Sequence, residues 1–189
     1  MKNLKDEELA AQAAQGTIAC FEELLSRYRT PVFRYCYRMS GSKEDAEDWT
    51  QECFVKIYNN LGKYNPERRF SPWLYRIVHN YGVSVIRVKQ SHSYQLVPDQ
   101  DLAEYPAGSK TDAVDVLEKK LRSEALAEAV DQLSPTLKSA LIIWALEDIT
   151  FKELGEILNT PLPTAAARVR RALIQLRQQF MKTEDKDTI

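Results

Sequence analysis

"FSPWLYRIVHNYGVSVIRVK", residues 70–89, is the stretch on which the fold turns. Its apolar residues recur at helical spacing, and Ser71 followed by Pro72 reads as a cap and first turn. The stretch carries four aromatic residues together with Arg76, Arg87 and Lys89, and no acidic residue. A helix that only filled a core would not need cations beside its rings. The pattern raises the question of what this helix is built to touch.

Working outward, the periodic segments are helical. "DEELAAQAAQ" forms a short helix ending at Gly16. "TIACFEELLSRYR" follows with Thr17 as cap, and Thr30-Pro31 interrupts or kinks it before "PVFRYCYRM" runs on to Gly41. Phe21, Leu24, Leu25, Tyr28, Phe33 and Cys36 form the apolar stripe of this segment. "SKEDAEDWTQECFVKIYNNL" has Ser42 as cap and three acids early, where the helix dipole favours them. From about Ser91 the period vanishes, and "SHSYQLVPDQDLAEYPAGSKTD" reads as a tether. Periodicity returns at "AVDVLEKKLRSEALAEAVDQL", then at "PTLKSALIIWALED" and at "TFKELGEIL", where Thr150 and Glu153 fit a capping box. The last segment is "PTAAARVRRALIQLRQQFMK". The fold class expected is all-α: two helical domains, residues 1–90 and 113–182, joined by a flexible linker over 91–112, with a disordered tail over 183–189.

Composition narrows the function. The 189 residues are 44% hydrophobic and 28% charged, with a net charge of −1, so polyanion binding must come from local segregation of charge. No apolar run is long enough to span a membrane, and the N-terminus lacks a secretory pattern, so a cytoplasmic protein with no membrane insertion of its own is expected. Cys20, Cys36 and Cys53 each sit in an apolar helical pattern and read as buried thiols. Neither His79 nor His92 belongs to a cluster with metal-ligand spacing, and the six glycines are too scattered to cradle a phosphate. No metal, cofactor or catalytic residue is expected.

Two surfaces remain. A short helix, a tight turn and a longer basic helix at 150–182 give the helix-turn-helix layout. Val169, Leu173, Leu176 and Phe180 fall on one stripe, with Thr164, Arg168 and Arg171 away from it. Arginine forks suit phosphates and guanine edges. Ala165, Ala166 and Ala167, read as the groove-facing start, offer only methyl contacts. The other surface lies on the segment from Lys43, where Ala46, Trp49, Cys53 and Ile57 form the buried side. Asp48, Gln51 and Glu52 then make one compact polar patch. Paired carboxylates invite an enzymatic reading, but no second tuned group, metal site or phosphate loop accompanies them, so the chain is not expected to be an enzyme.

Taken together these segments resemble the extracytoplasmic-function (ECF) group of bacterial RNA polymerase sigma factors, whose minimal members hold only domains σ2 and σ4. "DAEDWTQECFVKIYNNLGKYNP" is similar to the polymerase-docking region, and "FSPWLYRIVHN" to the segment that opens and reads the −10 element. "LSPTLKSALIIWALEDITFKELGEILNTPLPTAAARVRRALIQLR" is similar to σ4, which binds the −35 element. The resemblance covers nearly the whole chain in the right order. It implies that Asp48, Gln51 and Glu52 contact core polymerase, whose β′ clamp and β flap would be the docking points. It implies that Arg68, Arg69, Phe70, Arg76, Asn80, Arg87 and Lys89 meet −10 DNA, with Phe70, Trp73 and Tyr75 as ring candidates. Of the rings, Trp73 and Tyr81 share a face with Ile77 and are expected in the core, leaving Phe70 for contact. For −35 DNA it implies Thr164, Arg168, Arg170 and Arg171. The expected partners are core RNA polymerase, promoter DNA and an anti-sigma factor. The function implied is promoter-specific initiation by −10 melting and −35 binding. The alternative is a sigma-like module that sequesters an anti-sigma factor without initiating transcription.

Departures from the family pattern qualify this. Gly82, Ser84, Val85 and Val88 stand where relatives commonly carry an acid and further arginines, so the basic strip is thin. Pro163-Thr164-Ala165-Ala166-Ala167-Arg168 stands where relatives often read GTVKSR. Weak or unusual −35 recognition, leaning on phosphates, is therefore expected. The tether would span about 25 Å relaxed and about 65 Å stretched, so it would have to be drawn out between promoter elements about 70 Å apart.

Overall fold

The computed structural model describes residues 4–90, 124–146 and 148–184. The described residues are helical: α1 (Asp6–Ala14), α2 (Ile18–Ser40), α3 (Lys43–Asn60), a 3-10 turn (Leu61–Lys63), α4 (Phe70–Gln90), α5 (Glu124–Asp131), α6 (Pro135–Leu146), α7 (Phe151–Leu158) and α8 (Leu162–Glu184). The chain divides into two compact units, one holding α1 to α4 and the other most of the helices from α5 onward. The all-α, two-unit architecture is thus the observed one. The expected linker, 91–112, lies outside the described residues, as does the tail from 185. Helix α8 itself continues to Glu184, two residues into the segment expected to be a tail.

In the first unit α2 packs on α1, α3 and α4. It continues through Pro31 as one helix, so of the two readings of Thr30-Pro31 the interruption does not occur. Proline inside a helix costs about 3 kcal/mol. Burial of Cys20, Leu24, Tyr28, Val32, Tyr35, Cys36 and Met39 on both sides of it offsets that cost. Gly41 then ends α2 in the left-handed region, φ 73°, with its N–H on the Tyr37 carbonyl at 2.9 Å. Ser42 caps α3 as read from sequence, its side chain accepting from the Asp45 N–H at 3.3 Å. Ala46, Trp49, Cys53 and Ile57 are buried against α2 and α4, again as read. All three cysteines are free thiols in the core.

The start of α4 differs from the expectation. The helix begins at Phe70, so Ser71 is inside the first turn and buried, and Pro72 occupies the third position. A proline there removes an N–H that has no partner within the helix anyway. The acceptor for the Phe70 N–H comes from Glu7 of α1, at 3.0 Å. A residue so distant in sequence cannot be found from local capping rules.

In the second unit α6 is apolar on nearly every side and is buried on nearly every side, the arrangement such a helix requires. It packs on α8, and Asp131 of α5 pairs with Lys138 of α6 at 2.6 Å. The Trp144 and Phe151 rings stack at 5.9 Å. The capping box of α7 is formed: Thr150 N–H donates to Glu153 Oε2 at 2.8 Å, and Glu153 N–H donates to Thr150 Oγ1 at 3.2 Å. Asn159 takes φ 51° just past α7, and the Thr160 N–H reaches the Gly155 carbonyl at 2.9 Å, closing the helix in a Schellman turn. A Cβ on Gly155 would sit 2.8 Å from the Thr160 carbonyl oxygen, so only glycine lets the turn fold this tightly onto α7.

Candidate functional site

The polar patch on α3 is assembled as the spacing implies. Asp48, Gln51 and Glu52 are all exposed, while Trp49, Thr50 and Cys53 on the opposite side are buried. The rigid backing fixes the direction in which the patch points. Two features escaped the sequence reading. Val55 and Tyr58, 53% and 45% exposed, extend the same helix surface with apolar area. Lys56 lies over the Tyr81 ring, 5.4 Å from its centroid, and Tyr81 in turn meets Trp49 edge-on at 6.2 Å. Burial and then the Glu52 charge push the Tyr81 hydroxyl above its ordinary range, with Cys53, Cys36 and Asp48 adding to the shift.

The second surface starts in the loop before α4. The Asn65 side chain accepts from the Glu67 N–H at 3.0 Å, the Arg68 N–H reaches the Asn65 carbonyl at 3.1 Å, and Tyr64 donates its hydroxyl proton to the Arg68 carbonyl. These bonds hold Arg68 and Arg69 outward on an ordered loop. Burial, with Glu7 and Asp6 nearby, pushes the Tyr64 hydroxyl well above its ordinary value and keeps it a donor. Arg76, Asn80 and Arg87 are exposed along α4. The side chain of Lys89 lies outside the described ones.

Phe70 is a correction. It is fully buried, enclosed by Tyr28 at 5.5 Å, Tyr64 at 5.4 Å and Trp73 at 5.6 Å, and cannot stack on a base. Tyr75, another ring candidate, is also fully buried, edge-on to Tyr35. Trp73, Ile77 and Tyr81, expected in the core, are only half-buried. Both stripes have helical spacing. The one through Phe70, Leu74 and Val78 faces inward, so of the three ring candidates only Trp73 is partly exposed.

On α8, Thr164, Arg168, Arg170 and Arg171 are all half-buried. Ala165 and Ala166, read as part of a groove-facing start, are instead core residues with Val169, Ala172 and Leu176. Their methyl groups are spent on packing rather than presented at the surface. Thr164, Arg168, Arg171 and Gln175 fall in one row along the helix, at i, i+4, i+7 and i+11. Gln175 is exposed and was missed from sequence. Arg170 falls on a different flank, near the exposed Ile174, and is not brought together with the others.

No helix among the described residues is long and apolar enough to cross a membrane. No group of His, Cys, Asp and Glu among them could hold a metal ion.

Comparison with known proteins places these surfaces in context. Sigma-70 region 2 matches residues 24–92, which take in most of α2 and all of α3 and α4. The ECF RNA polymerase sigma factor SigW of Bacillus subtilis is 30% identical over 184 residues, covering 89% of this chain and 93% of that protein. The ECF sigma-E factor of Haemophilus influenzae is 28% identical over 176 residues, covering 90% and 93%. Two solved structures share the fold at 20% identity. CnrH in complex with the cytosolic domain of CnrY has a TM-score of 0.67 and covers 94% of this chain and 97% of CnrH. The sigma factor RpoE of Bartonella quintana, solved with the anti-sigma factor NepR, has a TM-score of 0.65 and covers 85% and 96%. The chain belongs to the ECF sigma factors of RNA polymerase.

Proposed function

We propose that this chain binds core RNA polymerase through Asp48, Gln51 and Glu52 of α3 and directs it to promoters. The loop before α4 and the α4 surface would separate and read −10 DNA. The Thr164, Arg168, Arg171 row of α8 would seat on −35 DNA. The observation that carries the reading is the segregation of charge: an exposed Asp-Gln-Glu patch on α3, and exposed arginines on α4 with no acid anywhere in that helix. An acid-bearing patch suits a protein surface, whereas an acid-free cationic helix suits a phosphate backbone.

Strand opening on this reading is driven by binding. Extruding a base costs a few kcal/mol. Stacking on a ring such as Trp73 returns about 1–3 kcal/mol per base, and arginines track the backbone. The chain would work in the cytoplasm as a non-catalytic specificity subunit, and the catalysis would belong to polymerase. Relatives of its fold were solved bound to CnrY and to NepR, which supports a protein antagonist for this chain too.

Run-off transcription with purified core polymerase is the test. A promoter-dependent transcript is expected with the wild type. Asp48→Ala combined with Glu52→Ala should abolish the transcript and co-elution with core while leaving the melting temperature unchanged, because both side chains are exposed. Full co-elution of that variant would sink the docking assignment.

A further inference from the structure

The basic strip on α4 is thin for a surface that must hold separated DNA, and a second wall stands beside it. From Arg27 to Ser40 the sequence of α2 holds Arg27, Arg29, Arg34 and Arg38 and no acid. Fully buried Tyr35 fixes how this segment meets α4. Its ring lies edge-on to Tyr75, its hydroxyl pairs with His79 Nδ1 at 3.1 Å, and its Cε1 is 3.7 Å from where a Cβ on Gly82 would be. Tyr28, two turns earlier, meets Phe70. The two helices therefore run side by side in the same direction.

Helical geometry then places the cations. Cys36, about 100° round the axis from Tyr35, faces α3 and the Cys53 thiol. Arg34 lies about 100° to the other side, and Arg38 about 60° to that same side. Both thus flank the α2–α4 seam on its face away from α3. On α4 the side turned to α3 carries Tyr81 against Trp49. Arg76, adjacent to Tyr75, turns the opposite way, and Arg87 falls near it three turns on. One face of the seam is lined by arginines from both helices, with half-buried His79, Val83 and Ile86 between them. Arg27 belongs to the same row, and it pairs with Asp6 at 2.6 Å and Glu23 at 2.9 Å. From Arg76 to Arg87 the seam runs about 16 Å, the length of about five nucleotides at duplex spacing.

We propose that this α2–α4 seam is a DNA-backbone groove in which Arg34 and Arg38 contact phosphates of the promoter strand held by α4. The inference rests on the promoter-opening role proposed above. It adds a helix, and two residues, to which no DNA contact is otherwise assigned. Continuity with Arg76, Asn80 and Arg87, and the lack of any acidic residue in α4 and in Arg27–Ser40 of α2, favour nucleic acid as the occupant.

Holoenzyme formed from the full chain and core polymerase would be titrated onto a fluorescent promoter fragment premelted at −10, from 50 to 200 mM salt. Arg34→Gln and Arg38→Gln should each weaken binding alike on different promoter sequences. Each should make the log–log salt slope shallower by about 0.7–0.9, so that wild type loses about threefold more affinity across the titration than either variant. Arg34→Lys should restore the slope, since a phosphate accepts any cation; a purely structural role would not show this rescue. Arg34 is exposed, so its variant decides the matter even where Arg38→Gln weakens the fold. An unchanged slope in Arg34→Gln overturns the groove while leaving the promoter-opening reading standing. Failure of wild-type holoenzyme to bind the premelted fragment overturns both.

Discussion

Glu7 on α1 accepts a hydrogen bond from the backbone N–H of Phe70, the first residue of α4, at 3.0 Å. Beside it, Asp6 accepts from Tyr28 and Arg27 of α2, each at 2.6 Å. Two adjacent carboxylates thus tie the first helix to the second and to the start of the fourth. A carboxylate at a helix N-terminus satisfies a donor the helix cannot, and its charge opposes the positive end of the dipole. The tie sits where the arginine-bearing loop 64–69 enters α4, so α1 helps to fix the position of that loop.

Glu7→Ala should therefore lower the stability of the first unit by about 1 kcal/mol, the usual worth of an N-cap acceptor. For a unit of this size that is a fall of about 4–8 °C in melting temperature, readable by tryptophan fluorescence. Glu7→Gln keeps an acceptor oxygen and should recover most of the loss. Equal losses in both variants would show that the hydrogen bond contributes nothing and that only charge matters.

Gly82 offers a substitution in the opposite direction. It sits within α4, facing Trp49 and Tyr35, and a Cβ there would stand 3.6 Å and 3.7 Å from their ring carbons, ordinary contact distances. Glycine in a helix interior costs about 0.5–1 kcal/mol relative to alanine. Gly82→Ala should raise stability by that amount in chemical denaturation, with an unchanged m-value. Destabilisation would mean that the two rings cannot keep their places beside a methyl group.

The contrast between these two sites tracks what sequence can convey. Helix α3 was legible because its signals are local: a serine cap, acids in the first turn and a buried stripe from Ala46 to Ile57. The Thr150–Glu153 box was legible for the same reason. The continuity of α2 through Pro31 could not be read because the cost of a proline is local, whereas the burial that offsets it comes from three other helices. Phe70 misled because two stripes of α4 have the same period, and only the packing of Tyr28 and Tyr64 shows which turns inward. The exposed patch on α3 could be read from one helix alone. The α2–α4 seam could not, because it exists only once Tyr35 is known to meet His79.

Gly155 should prove as intolerant as Gly82 is permissive. The oxygen 2.8 Å from its would-be Cβ belongs to backbone, so no side chain can swing aside. Gly155→Ala should cost the second unit about 1–3 kcal/mol, the range for overpacking, and should displace the turn that aims α8. In holoenzyme, footprint protection at the −35 element should fall while binding to core polymerase persists. Unaltered −35 protection would mean that the turn accommodates the methyl group by a backbone shift and does not set the angle of α8.

Phe70 and Trp73 separate packing from contact. Phe70 is enclosed on three sides by rings and fully buried, so Phe70→Ala should cost about 3–5 kcal/mol by leaving a cavity. Its effect on transcription should disappear when folded protein is matched at low temperature. Trp73 is half-buried, leaning on Tyr64 at 5.1 Å, and lies three residues before the exposed Arg76 on α4. Trp73→Ala should cost less stability but reduce strand opening, measured by permanganate reactivity of unpaired thymines. Trp73→Phe should restore part of the opening, because a smaller ring still stacks. If Trp73→Ala opened promoters as well as wild type at matched folded concentration, the exposed edge of that ring would have no part in holding a base, and cations alone would account for the α4 surface.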